Sequence, residues 1–265
     1  MTFSVPQLTA QQIAQYHVEG YITLDALTSP EEVLQIREIY DDLFDRQVGR
    51  ENGDQFDLGG SDEDGVKAKL PQILGPSRYA PQLKQMQLYA NAQAVAQQLL
   101  GSNAKVTGDH AINKPALDGA QTPWHQDEAY WDPKQIYEAM SIWIPLQDVT
   151  VENGCMQFIP GSHRLDIVEH QSIGGDTRVH GLEVCDPKLD VSSAVACPIP
   201  AGGCTIHSNR TMHYAGANLT DNPRRALIIM ASLPSIPYPA QRKFPWNEAK
   251  KTARDKRALA NTSKA

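Results

Sequence analysis

Residues 202–230 read GGCTIHSNRTMHYAGANLTDNPRRALIIM, and the fold turns on how this run is broken up. CTIH and RALIIM are short, apolar and β-branched, with Gly, Asn, Asp and Pro between them. That pattern predicts strands joined by turns. The same texture extends toward the N-terminus through SAVACPIPAGG (193–203), GCMQFIP (154–160), AMSIWIPLQDV (139–149) and AKVTGDHAINKP (104–115). Short strands at fairly even spacing predict a sandwich or jelly roll. No strand leads through a Gly-rich turn into a helix, which disfavours a Rossmann or P-loop nucleotide fold.

The first third reads differently. Thr9 can cap a helix that runs to about Val18 and stops at Gly20. YITLDAL (21–27) alternates like a short strand. Ser29 and Pro30 open a second helix, on which Val33, Ile36, Ile39, Tyr40 and Leu43 form one apolar stripe that packs on something. A further helical stretch, APQLKQMQLYANAQAVAQQLLG (80–101), stops at Gly101. Helices first and strands later predict an α+β chain with a mainly β core and the N-terminal helices packed on one sheet. Residues 49–66 are polar, acidic and glycine-rich, which suits either a disordered segment or a mobile lid over a site.

At 265 residues and 41% hydrophobic composition, one domain over residues 1–265 is expected, with its core at about 8–232. No apolar run approaches the roughly 18 residues of a membrane span. MTFSVPQLTAQQIAQ lacks the layout of a signal peptide and TSKA is not a peroxisomal address, so the cytoplasm is the expected location. A formal net charge of -7 argues against nucleic acid as the main partner. The basic C-terminal tail, residues 242–265, is the local exception and reads as a solvated helix that frays. Cys155, Cys185, Cys197 and Cys204 show no CxxC spacing, which predicts reduced, mostly buried thiols.

Within TPWHQDEAYWDP (122–133), His125 and Asp127 stand two positions apart. In a strand, such residues share a face and can aim a nitrogen and an oxygen at one point. One more neutral nitrogen completes the two-histidine, one-carboxylate set of non-haem Fe(II), which leaves positions open for O2 and a chelating cosubstrate. The run from Gly202 offers His207 and His213, and spacing alone does not choose between them. Arg224 and Arg225, opening the later strand, favour His213, because a cationic fork at a strand mouth suits a carboxylate held by two parallel hydrogen bonds. Glu128 faces away from Asp127 by strand parity, so a carboxylate pair for acid–base chemistry is not expected.

Several segments, taken in order, resemble the phytanoyl-CoA dioxygenase family. They are LTAQQIAQYHVEGYITLDALTSPEEVLQI (8–36), AINKPALDG (111–119), TPWHQDEAYW (122–131), ENGCMQFIPGSHR (152–164) and HYAGANLTDNPRRAL (213–227). The resemblance implies a double-stranded β-helix of the jelly-roll, cupin-like kind. It also implies an Fe(II)- and 2-oxoglutarate-dependent oxygenase that uses O2 to hydroxylate a small-molecule metabolite, releasing succinate and CO2. His125, Asp127 and His213 resemble the iron ligands, and Arg224 the partner of the distal carboxylate of 2-oxoglutarate. Trp143 matches a tryptophan lining the cosubstrate pocket, while Lys69 and His110 match cosubstrate contacts on shorter patterns. Ala215 stands where some relatives carry a serine that helps bind the same carboxylate, which leaves more to Arg224.

An acid at position 127 fills the place that chloride takes in related halogenases, so chlorination is disfavoured. Desaturation, epimerisation or ring formation in natural-product biosynthesis is the alternative outcome of the same chemistry. A cupin-like metal isomerase or hydrolase, the other alternative, has no need of Arg224. His207 reads as a satisfied core or rim histidine and Arg225 as a surface residue facing away from Arg224. His163 and Arg164 read as part of a structural turn, His170 and His180 as surface residues, and Tyr130 and Trp131 as packing more than substrate contacts.

Overall fold

A computed structural model describes residues 4–117 and 120–262. The Asp118–Gly119 end of the AINKPALDG segment and Lys264 of the basic tail lie outside them. The first helix, Ala10–Glu19, starts at a capping box between Thr9 and Gln12 and ends at Gly20, whose φ of 85° is left-handed. Ser29 caps the second, Pro30–Asp45, from in front of its proline. The third helical stretch is shorter than expected, with Pro81–Gln85 a 3-10 turn and the α-helix running from Gln87 to Leu100. The reason lies in the second helix. Glu32 accepts the N–H groups of Gln87 (2.7 Å) and Leu88 (2.9 Å), capping a start that no local side chain caps.

Seven strands form an antiparallel sheet in the order Tyr21–Leu24, Cys204–Ser208, Ala139–Pro145, Arg224–Ser232, Lys105–Lys114, Pro71–Leu74, Gln55–Asp57. A four-stranded sheet runs Val195–Cys197, Met156–Phe158, His213–Ala215, Thr122–His125. Apart from the consecutive pair Gln55–Asp57 and Pro71–Leu74, neighbours in these two sheets come from separate parts of the chain, as a double-stranded β-helix requires.

Strand parity sorts the side chains. Leu227, Ile229 and Ala231, with Ile142, Ile144 and Ile206, pack on Ile36, Leu43, Leu88 and Val95 of the helices. Ala226, Ile228 and Trp143 face the other way, against Met156, Phe158 and Ala215 of the small sheet. Burial on both faces is why these strands read as continuous apolar runs. Polar groups on the inner face are therefore conspicuous, and Ser141, Thr205, His207, Lys114 and Arg224 are all buried there.

Residues 49–66 contribute the edge strand Gln55–Asp57, and the Asp57 carboxylate accepts the N–H groups of Gly59, Lys69 and Leu70. The basic C-terminal segment is not a solvated tail over its described residues. Arg254 Nε donates to Gly53 O at 2.7 Å, Arg257 Nε donates to Arg50 O at 3.1 Å, and Arg257 also pairs with Asp62. Trp246 Nε1 and Asn247 Nδ2 both donate to Ala129 O at 2.8 Å. All four cysteines are free, and three are buried. Among the described residues no helix is long and apolar enough to cross a membrane.

Candidate metal and cosubstrate site

The register between Thr122–His125 and His213–Ala215 sets His125 directly opposite His213. Cross-strand neighbours deliver side chains to one spot however far apart they lie in sequence, and the two rings are 4.1 Å apart. Asp127 arrives by a different route from the strand parity expected of the pair. The strand ends at His125, and Asp127 opens the 3-10 turn Asp127–Tyr130. The ligand atoms of His125, Asp127 and His213 nonetheless all lie within 4.8 Å of one another.

The hydrogen bonds around these groups fix their protonation. His125 Nδ1 donates to Pro123 O and His213 Nδ1 to Thr211 O, each at 2.8 Å, which leaves both Nε2 lone pairs free. Burial holds both imidazoles below their usual range, so they are neutral at pH 7. For Asp127 burial works the other way, but His213, His207 and His125 outweigh it and keep the carboxyl well below the usual carboxylate range. Two neutral nitrogens and one anionic oxygen face each other.

Asp127 is also held from behind. Ser141 Oγ donates to Oδ2 at 2.7 Å, and His207 Nε2 lies 3.4 Å from the same oxygen, off the line of a good hydrogen bond. His207 is thus not the satisfied histidine expected, since it is buried and neither ring nitrogen has a partner. Asp127 Oδ1 stands 3.8 Å from His125 Nε2 and 3.5 Å from His213 Nε2.

The segment between the two ligand candidates is clamped. Gln126 N donates to His170 Nε2 at 3.2 Å, and His170 Nδ1 donates to Val168 O at 2.8 Å. Glu128 does face away from Asp127, but it is fully buried and pairs with Arg210 and Arg242. His170, expected on the surface, is 3% exposed because it fills the space behind this turn.

Burial pushes the His170 imidazole down to about 4, whereas an unfolded histidine takes its proton near 6.5. A depressed folded value means stability that is present above about 6.5 and is lost as pH falls toward 4. At pH 4 this group alone removes roughly 3 kcal/mol. Thermal midpoints of the metal-free protein between pH 8 and 4 are expected to fall more steeply for the wild type than for His170→Gln. Parallel slopes would remove His170 as the cause.

A cavity of about 320 Å³ opens beside the three ligand candidates and reaches Arg224. Arg224 is 2% exposed, its Nε and Nη1 have no partner, and its Cζ lies 5.2 Å from the Trp143 ring. Burial brings the guanidinium down to about 10, still cationic at neutral pH. Its cross-strand neighbour Lys114, not singled out from the sequence, is equally buried and donates to Ala120 O (2.9 Å) and Ala215 O (3.2 Å). The signal was available, since Lys114 shares the parity of His110 and Ile112, which face the cavity.

His110 and Trp143 line the cavity, and Lys69 is exposed and is not among its walls. Tyr130 and Trp131 line it, as does His180, which was expected on the surface. Arg225 turns to the helix side and binds Asp41 at 2.6 Å. His163 and Arg164 sit in a turn beside the first helix, where His163 Nε2 lies 3.2 Å from His17 O.

The family model for phytanoyl-CoA dioxygenase matches residues 16–226. The crystal structure of EvdO2 from Micromonospora carbonacea var. aurantiaca complexed with 2-oxoglutarate is 33% identical, with a TM-score of 0.78 over 92% of this chain and 98% of that one. A probable alpha-ketoglutarate-dependent hypophosphite dioxygenase of Stutzerimonas stutzeri is 25% identical over 233 residues, 83% of this chain and 77% of that protein. The phytanoyl-CoA dioxygenase domain-containing protein 1 of Danio rerio is 25% identical over 255 residues, 82% of this chain and 87% of that one. The chain belongs to the phytanoyl-CoA dioxygenase family and is an Fe(II)- and 2-oxoglutarate-dependent dioxygenase.

Proposed function

We propose that His125, Asp127 and His213 hold the Fe(II) and that Arg224 binds the distal carboxylate of 2-oxoglutarate, in a pocket lined by Trp143 and His110. On this reading one domain hydroxylates a small-molecule metabolite. The observation that carries it is the deeply buried Arg224 with two guanidinium nitrogens unpartnered. A buried cation without a counter-ion is costly, and a carboxylate arriving there gains parallel charge-assisted hydrogen bonds. A metal isomerase or hydrolase has no use for such a clamp.

When bound, iron and 2-oxoglutarate supply the oxidising chemistry, in which O2 is consumed and succinate and CO2 are released. The side chains do the rest. The Nδ1 bonds to Pro123 and Thr211 fix both imidazole tautomers. Ser141 donates to one oxygen of Asp127, beside which His207 Nε2 lies at 3.4 Å, and this leaves the other oxygen for the metal. Arg224 and Trp143 orient the cosubstrate, and Leu58, Leu74, Tyr130 and Ile228 wall the cavity against water. Free cysteines fit a cytoplasmic setting, and the net charge of -7 fits a small molecule better than nucleic acid.

Under argon, Fe(II) and 2-oxoglutarate together are expected to give a visible charge-transfer band. Tight Zn(II) binding with no such band would replace this reading. Analysis of product, alongside succinate, separates hydroxylation from desaturation, epimerisation and ring formation. Ser141→Ala removes one hydroxyl from behind Asp127 and is expected to weaken Fe(II) binding by about tenfold. A metal titration followed by the same band measures it, and unchanged affinity would take Ser141 out of the site's support.

A further inference from the structure

The cavity has a third region that neither the metal ligands nor the cosubstrate clamp uses. Three rings build it. His180 meets Phe56 edge-on at 4.9 Å and stacks on Tyr130 at 5.8 Å. The C-terminal segment lays a cation over each of the other two rings, Arg254 Cζ 5.0 Å from Phe56 and Lys250 Nζ 4.7 Å from Tyr130. Arg254, His180 and Tyr130 all line the same cavity as His125, Asp127 and His213.

Counter-charge is scarce here. Lys250 makes no ion pair among the described residues. Among the described residues Arg254 pairs only with Asp255, Nη1 to Oδ1 at 3.4 Å, while Thr252 donates to Oδ2 of that carboxylate, and the same Asp255 is the one anion that acts on Lys250. Gly53 O takes the Arg254 Nε–H and Asp255 accepts from Nη1, so Nη2 is left unused among the described residues. His180 Nδ1 is buried without a partner. Burial, with Lys250 and Arg254 close by, keeps that imidazole neutral and well below its usual range. Burial also lowers Lys250 to about 8, which leaves it mostly protonated at neutral pH. Partly dehydrated cations with unspent donors, on aromatic walls and beside a reactive centre, have the make-up of an anion subsite.

We propose that Arg254 and His180, on the cavity wall, recognise the substrate, a small molecule carrying a carboxylate or phosphate, with Lys250 over the Tyr130 ring adding its positive charge. Its oxyanion is bound by this cluster, and its apolar body lies among Leu58, Leu74 and Trp131. The inference rests on the iron reading of the triad, which makes this cavity the place of reaction. A neutral analogue leaves the cations desolvated and unpaired, so the site selects against it. Arg224 stands on the inner-face strand and Arg254 on the C-terminal segment, so cosubstrate and substrate anions have separate cations.

The test is calorimetric, on enzyme loaded under argon with Fe(II) and saturating 2-oxoglutarate so that Arg224 is occupied. Phenyl phosphate and phenylacetate are the probes, and benzyl alcohol is the neutral control. At least one anion is expected to bind about tenfold more tightly than the alcohol, and which one does separates phosphate from carboxylate recognition. Lys250→Gln and Arg254→Gln are each expected to erase most of that preference, and Arg254→Lys to restore part of it. Anions binding no better than benzyl alcohol, or equally well to folded Lys250→Gln and Arg254→Gln, overturn the proposal. The charge-transfer band is read in the same samples. If it forms while anion preference is absent, the subsite fails and the iron reading stands. If it does not form, the iron reading fails, and the same titration on metal-free Arg224→Ala protein still decides the subsite.

Discussion

Arg224→Ala is expected to weaken 2-oxoglutarate binding by about a hundredfold or more while leaving the ligand-free protein about as stable as before. The first half follows from truncating one partner of a buried, hydrogen-bonded charge pair, which costs roughly 2–5 kcal/mol. The second half is unusual for a side chain only 2% exposed. Cutting such a side chain back to alanine ordinarily leaves a cavity and costs stability. Here the lost packing is offset, because the guanidinium that disappears was buried with Nε and Nη1 unpartnered. Calorimetry gives the affinity. Thermal unfolding gives the rest, since the wild type gains midpoint on adding 2-oxoglutarate and the variant does not. Arg224→Lys keeps the charge without the fork and is expected to recover only part of the binding. Wild-type affinity in Arg224→Ala would end its assignment as the clamp.

His213→Ala and His207→Ala are expected to part company. Both rings lie against Asp127, with Nε2 at 3.5 Å from Oδ1 and 3.4 Å from Oδ2 respectively. Only His213 stands opposite His125 with its Nδ1 proton committed to a carbonyl. Its loss, like that of His125, is expected to lower Fe(II) affinity by more than about a hundredfold, to abolish the charge-transfer band and to bring succinate formation to background. His207→Ala removes a contact to the outer oxygen of Asp127, so the band is expected to persist at about tenfold weaker metal affinity. A His207→Ala protein without the band would move that residue into the coordination sphere.

The strands and the proposed iron ligands were legible on different grounds. Apolar, turn-bounded segments marked the strands, and His125, Asp127 and Arg224 stood out as polar residues among them, whereas the preference for His213 over His207 leaned on the arginines that follow it and on the family resemblance. What could not be read depends on contacts across long stretches of chain. The turn at Asp127 is anchored by Glu128, whose partners Arg210 and Arg242 lie 82 and 114 positions away. His170 reaches Gln126 across 44 positions. In each case a polar residue in polar sequence looks solvated until the partner is known. The C-terminal helix misled likewise, because Arg254 and Arg257 bond backbone carbonyls of Gly53 and Arg50, which have no signature in sequence.

The Arg224–Ser232 strand carries cosubstrate-side residues at one parity and helix-facing apolar residues at the other. Sliding it by a single residue against Lys105–Lys114 would exchange the two sets completely, placing Arg225 and Leu227 in the cavity and driving the other guanidinium into the helix layer. The pairing register of this one strand is therefore itself a requirement for the site, and a one-residue slip would remove the site outright where a side-chain substitution only weakens it.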